Sequence, residues 1–247
     1  MSIMNKLVFD IETIGVDFDS LDKTTQENLT RWIKKESSSE AEYKEELEEL
    51  KNGLGFSPLT GEIVVIGVLD CQKNQGVIYF QAPVENPPPP KPADGGGEFK
   101  EDNFIFKQAT EKEMLEKFWQ GAKEYGEFIG FNSRGFDVPF LMVRSAVHGV
   151  KPTRNLMEGR YLYQQRDAKH IDLQDQLTFY GAARKRGSLH LWSNLFNIKS
   201  PKADGVTGDD VGRLFREKKF LEIAKYNAGD LKATKELYEK WNNYLNL

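Results

Sequence analysis

Leu7–Gly15 reads LVFDIETIG, and the fold turns on whether this is a strand. Lys6–Phe9 (KLVF) is a short apolar run that predicts a buried strand, and it leads straight into Asp-Ile-Glu. A strand sends alternate side chains to the same face, so Asp10 and Glu12 point the same way near its C-terminal end. Two carboxylates held this close repel and raise each other's pKa, and a divalent cation between them is the usual remedy. Taken alone, the same residues also fit an Asp capping a turn beside a solvent-facing Glu.

Working outward, Glu62–Leu69 (EIVVIGVL) is a β-branched run and predicts a second central strand. Between the two, Ser20–Lys51 is polar and rich in helix formers. It reads as one or two surface helices within an insertion spanning about residues 17–60, set apart from the chemistry. Gly76–Gln81 (GVIYFQ) predicts a third strand. The text ENPPPPKPADGGGEF that follows forbids helix and central strand alike, so about residues 83–102 read as a flexible surface loop. Then come a strand (Asn103–Gln108), a helix (Thr110–Tyr125), a strand (Glu127–Phe131) and a helix (Val138–Val147). Over the last eighty or so residues the patterns are helical, at Asp172–Tyr180, Ser188–Phe196, Asp209–Glu217 and Phe220–Tyr244, with no strand. The expected fold is α/β, a mixed central sheet flanked by helices with a helical C-terminal part, and residues 1–247 form a single domain.

Composition narrows the function class. The 247 residues are 39% hydrophobic and 12% aromatic, enough for one buried core. No stretch approaches the roughly 18 apolar residues of a membrane span, and the N-terminus lacks the zones of a signal peptide. A cytoplasmic location without a membrane partner is expected. The single cysteine, Cys71, excludes a disulfide framework and a cysteine-based zinc site. A formal net charge of -4 argues against bulk electrostatic capture of nucleic acid, but the acidic excess is local to Glu40–Glu49. Arg134–His190 carries ten Lys or Arg against five Asp or Glu.

Two further elements complete the pattern. In GFNSRGFDVPFLMVRS, Asn132 and Asp137 lie between an apolar strand and an apolar-periodic helix with Pro139 in its first turn. Asp137 thus sits at a helix N-terminus, where an Asp is also a common cap, and Asn132 equally suits a turn. In KYNAGDLKAT, Tyr226 and Asp230 are four residues apart and share one helical face. An aromatic on the core stripe with an Asp at its rim would look the same.

These elements, in this order, resemble the DEDD superfamily of 3'-5' exonucleases, whose fold is ribonuclease-H-like. Asp10 and Glu12 match the first motif, and Asn132, Phe136 and Asp137 match the second. At the third, Tyr226 stands where the tyrosine branch has its tyrosine, while Lys225 stands where the other branch has histidine. HIDLQDQLTFYG (170–181), LHLWSNLFNIKSPK (189–202) and GDDVGRLF (208–215) bring the chain nearer to proofreading exonuclease domains of family-B DNA polymerases. The likeness leaves out the Ser20–Lys51 insertion and the proline-rich loop, and no polymerase domain accompanies it.

The resemblance implies two divalent cations, Mg²⁺ or Mn²⁺, one activating water and one steadying the leaving oxygen. Asp10, Glu12 and Asp230 would hold the first, and Asp10 would bridge to the second with Asp137 assisting. Tyr226 would orient the water, since a phenol with a pKa near 10 is a poor general base at neutral pH. Thr13, Asn132 and Phe136 would contact the terminal nucleotide. The implied partner is a nucleic acid with a free 3' end, single-stranded DNA ahead of RNA, releasing 5'-mononucleotides, with a polymerase or repair protein as protein partner. Two rivals are an inactive binding module of the same fold and a haloacid-dehalogenase-like phosphatase, whose late acidic motif GDDVG (208–212) resembles superficially. A His170–Asp172 metal site lacks short ligand spacing, and His170 reads as structural.

Overall fold

β1 (Lys6–Gly15) continues past Phe9 through both carboxylates, because β2 (Gly61–Asp70) pairs with it antiparallel along its length, from Leu7 opposite Asp70 to Gly15 opposite Gly61. The computed structural model describes residues 5–82, 98–199 and 207–246. β3 (Gln75–Phe80) is antiparallel to β2, and β5 (Phe104–Gln108) is parallel to β3 with β4 (Glu98–Glu101) antiparallel at the edge. On the other side of β1 lie β6 (Glu127–Gly130) and β7 (Lys169–Asp172), both parallel to it. The order β4-β5-β3-β2-β1-β6-β7 makes one mixed seven-stranded sheet with β1 inside it.

Helices cover both faces. α4 (Glu111–Ala122) and α5 (Asp137–Val147) pack Met114, Phe118, Trp119 and Leu141 on Leu7, Phe9 and Ile11 of β1. On the opposite face, α9 (Phe220–Tyr244) sets Ile223, Ala224, Leu231 and Leu237 against Val8, Ile129 and Ile171. Each fully buried side chain of this size contributes about 1.5–3 kcal/mol. The pleat therefore sends Leu7, Phe9 and Ile11 to one layer and Val8, Asp10 and Glu12 to the α9 layer. α6 (Leu173–Leu177), α7 (Leu189–Leu195) and α8 (Val211–Arg216) join α9 on that side. α1 (Lys23–Thr30), α2 (Ile33–Glu36) and α3 (Glu40–Gly53) fill the segment between β1 and β2.

One buried ion cluster orients α5. Glu111 accepts from the Ile63 amide at 2.8 Å and from Arg144 at 2.8 and 2.6 Å, and His148 Nε2 lies 2.6 Å away. Burial pushes its carboxyl pKa up, but these donors outweigh that and hold it below the usual value.

Three expectations need correction. The predicted loop of about residues 83–102 contains an edge strand at Glu98–Glu101, because Phe99 stacks on Phe106 at 4.5 Å and Glu98 pairs with Lys107 at 2.7 Å; residues 83–97 lie outside the described residues. The C-terminal part does hold a strand, β7. KHID has no apolar alternation and pairs because β6 offers a parallel partner that buries His170 and Ile171. The predicted helix Asp172–Tyr180 stops at Leu177, where Phe179 and Tyr180 turn to positive φ.

Candidate active site

β6 pairs with β1 only as far as Val8–Ile129, so the edge of β1 beyond it is open at the C-terminal end of the parallel strands, where α/β sheets place their ligand sites. There Asp10, Glu12 and Asp230 converge, with one oxygen from each within 4.8 Å of the others. Glu12 (7% exposed) and Asp230 (9%) are buried, and Asp10 is half-buried. Burial first, and then Asp137, Asp230 and Glu12, push the Asp10 carboxyl pKa well up; burial and Asp230 do the same to Glu12. Such crowding without a counter-ion is costly, and hard oxygen donors in this arrangement fit a divalent cation of the Mg²⁺ or Mn²⁺ kind.

Asp137 stands beside that group at the first position of α5. Its Oδ1 accepts the Ile11 amide at 3.1 Å, which satisfies the open edge of β1 and caps no turn of its own helix. Burial lifts its pKa to about 7, against the pull of its own amide and that of Ile11. The loop before it is shaped by Asp172, whose two oxygens accept the amides of Asn132 and Arg134, each at 2.9 Å. Asn132 adopts φ 57°, the turn role open to it from sequence. His170 is structural. Its Nδ1 faces the Leu156 carbonyl and its Nε2 the Ser133 hydroxyl, both at 2.8 Å, and burial lowers its pKa to about 4, so it stays neutral.

On α9, Tyr226 and Asp230 share a face, and the Tyr226 hydroxyl donates to the Asp230 carboxylate. Burial and the surrounding carboxylates drive the phenol pKa far up, so it remains protonated. Asn227 is the residue missed by sequence reading. Fully buried, it donates from Nδ2 to Asp10 at 2.7 Å and to Glu12 at 3.5 Å. Gly67 makes room for it. Gly67 pairs with Asp10 across the sheet, and a Cβ there would lie 1.9 Å from Asn227 Oδ1. An amide on the apolar stripe of a long helix, next to Tyr226, was the available signal.

A cavity of about 240 Å³ opens on Asp10, Tyr226 and Asp230, walled by Ser188, Leu189 and His190 and floored in part by Asp209. A larger one of about 480 Å³ adjoins it and shares Gly208 and Asp209. Thr13 and Phe56 line the larger cavity, and the Thr13 hydroxyl donates to the Gly55 carbonyl at 2.7 Å. Phe136 packs beside Phe56 at 6.5 Å and on Phe140 at 5.0 Å. The inserted segment, expected to stand apart, thus reaches the rim of the site through Phe56. GDDVG forms a 3₁₀ turn, Gly208–Asp210, leading into α8.

Among solved structures, the fold is similar to that of the family B DNA polymerase from the hyperthermophilic archaeon Pyrobaculum calidifontis, at TM-score 0.55 and 16% identity over 97% of this chain. The chain spans 24% of that polymerase chain. The sheet order and helical C-terminus are thus those of the ribonuclease-H-like α/β fold that the motifs implied. None of the curated proteins gives a significant match. A family of predicted 3'-5' exonucleases related to the exonuclease domain of PolB matches residues 94–246, more than half of the sequence and inclusive of Asn132, Asp137, Tyr226 and Asp230. The chain belongs to that family.

Proposed function

We propose that this protein is a divalent-metal-dependent 3'-5' exonuclease that releases 5'-mononucleotides from the 3' end of single-stranded DNA. The observation carrying this reading is the meeting of Asp10, Glu12 and Asp230 within 4.8 Å, in a chain whose family is one of nucleases. Asp10, Glu12 and Asp230 would hold one cation, and Asp137 would assist at a second beside Asp10. Bound there, the cations supply acidity to a water and charge to the leaving oxygen.

The protein's own groups do the positioning. Asn227 orients the Asp10 and Glu12 oxygens through its amide hydrogens. Tyr226, protonated and tied to Asp230, is suited to hold a water by hydrogen bonding and unsuited to remove its proton. Thr13 and Phe56 line the larger cavity, Phe136 packs beside Phe56, and the three would bind the terminal nucleotides by shape and stacking. Asn132, in the turn before α5, would contact the terminal nucleotide as well.

The test is digestion of 5'-labelled single-stranded DNA and RNA oligomers with and without Mg²⁺ or Mn²⁺. Stepwise shortening from a free 3' hydroxyl, only with metal and faster on DNA, is expected. A 3' phosphate should slow it strongly. Asp10→Ala and Asp230→Ala should each abolish turnover, and activity within a few fold of the parent in either variant would sink the assignment of the metal ligands. Internal cuts in a circular single strand would contradict the exonuclease reading.

A further inference from the structure

Arg184, Lys185 and Arg186 are consecutive, exposed, and have no ion-pair partner among the described residues. Several other cations of this chain of net charge -4 are paired instead, as in Lys225–Glu101 at 2.6 Å, Lys232–Asp102 at 2.8 Å and Arg160–Asp175 at 2.6 Å. Isolated charge runs are usually solvated surface. Here position and neighbours argue otherwise.

Two residues beyond Arg186 the chain reaches Ser188, which with Leu189 and His190 walls the cavity of Asp10, Tyr226 and Asp230. Two residues span at most about 7 Å and four at most about 14 Å, so Arg186 and, further out, Lys185 and Arg184 lie on the chain that leads into the cavity wall. The loop is anchored at its end, where Gln174 Nε2 donates to the Gly187 carbonyl at 3.3 Å and Trp192 Nε1 donates to the Arg186 carbonyl at 2.8 Å. At its other end Gln176 donates to the Tyr180 hydroxyl at 2.9 Å. Tyr180 lies 4.6 Å from Tyr161, which stacks nearly parallel on Tyr163 at 5.7 Å and 13°. Tyr163 is 81% and Phe179 59% exposed. Phe179 and Tyr180 both hold positive φ, 51° and 56°, an unfavourable conformation for bulky residues that persists where surrounding structure enforces a loop shape.

Exposed aromatic faces beside unpaired cations are what a flexible single strand binds, bases on rings and phosphates on cations, whereas an acidic peptide has no use for the rings. We infer that the 179–187 loop, with Tyr161 and Tyr163, is the track along which single-stranded nucleic acid runs to the carboxylate cavity. This rests on the exonuclease reading for what happens at the end of the track. The binding itself is independent of turnover. The track makes length, not base sequence, the recognised property, so oligomers long enough to reach both cavity and tyrosines bind best.

Fluorescence anisotropy of 5'-labelled (dT)12 and (dT)3 in EDTA tests this with no cleavage. The substitution of Arg184, Lys185 and Arg186 together by Ala changes only exposed side chains. It should weaken (dT)12 binding tenfold or more and lower the slope of log affinity against log salt by about 2, at roughly 0.7 per phosphate contact. Tyr163→Ala should weaken (dT)12 by about tenfold, the equivalent of one stacked base, with (dT)3 little changed. Mg²⁺-dependent release of nitrophenol from the p-nitrophenyl ester of thymidine 5'-phosphate, which needs only the carboxylate cavity, should stay within twofold in both variants. Parent-like (dT)12 affinity in the triple variant overturns the track, as does displacement of (dT)12 by polyglutamate at equal charge. A parent that binds (dT)12 through these residues yet cleaves nothing would retain the track and remove the exonuclease reading.

Discussion

At the residue scale the site is a set of carboxylates kept close by backbone and amide donors. Asp10 and Glu12 are held in aim by Asn227, Asp137 by the Ile11 amide, and Asp230 carries the Tyr226 hydroxyl. Tyr226 lies in the same cavity as Asp10 and Asp230, with its pKa raised beyond use as a base. If its hydroxyl positions water, Tyr226→Phe lowers kcat and kcat/KM together by about 10² to 10⁴, with metal and strand affinity nearly unchanged. Single-turnover rates at saturating Mg²⁺ measure this. A tyrosine that only fills space would lose little, because its ring remains.

At the element scale, α9 must lie close enough to the sheet for Asp230 and Asn227 to meet β1. Gly67 allows that approach on β2. A Cβ at this position would meet Asn227 Oδ1 at 1.9 Å and Leu231 Cδ1 at 2.8 Å, so one or both must move. Gly67→Ala should therefore destabilise by about 1–3 kcal/mol, the usual cost of overpacking. It should also cut activity far more than that loss explains at a temperature where the variant is fully folded. Melting and turnover measured on the same preparation check it, and a variant with lowered Tm but parental turnover would show that α9 placement is not critical.

At the scale of the whole molecule, the acid cluster couples function to stability. The carboxyl pKa values of Asp10, Glu12 and Asp137 are raised by folding, that of Asp137 to about 7. A group raised in this way binds its proton more tightly in the folded chain. Its contribution is present below the ordinary carboxylate range, near pH 4, and is lost as pH rises through the raised value. Metal-free Asp10→Asn should thus match the parent in Tm near pH 4 and exceed it by several degrees at pH 8, since each 1 kcal/mol moves Tm by about 2–4 °C in a chain of this size. Saturating Mg²⁺ or Mn²⁺ should reverse the order, because an ion that binds only the folded state stabilises it and the variant has lost a ligand. Calorimetry at pH 4 and 8 with and without metal tests both signs.

The sequence by itself determined the elements whose pattern is local. The apolar run at Lys6–Phe9, the β-branched run at Glu62–Leu69 and the 3.6-residue period of α9 are written in neighbouring residues, so local pattern sufficed, whereas Asp10, Glu12, Asp137 and Asp230 pointed to one site only through the family resemblance of their motifs. What the tertiary structure decided is what depends on partners distant in the chain. KHID is a strand only because β6 lies beside it, and EFKE only because β5 does. Asn227 belongs to the site only because Gly67, 160 residues earlier, has no side chain to keep it away. Close approach between elements is set by the volume each removes from the other's path, and no periodicity within either segment records that distance.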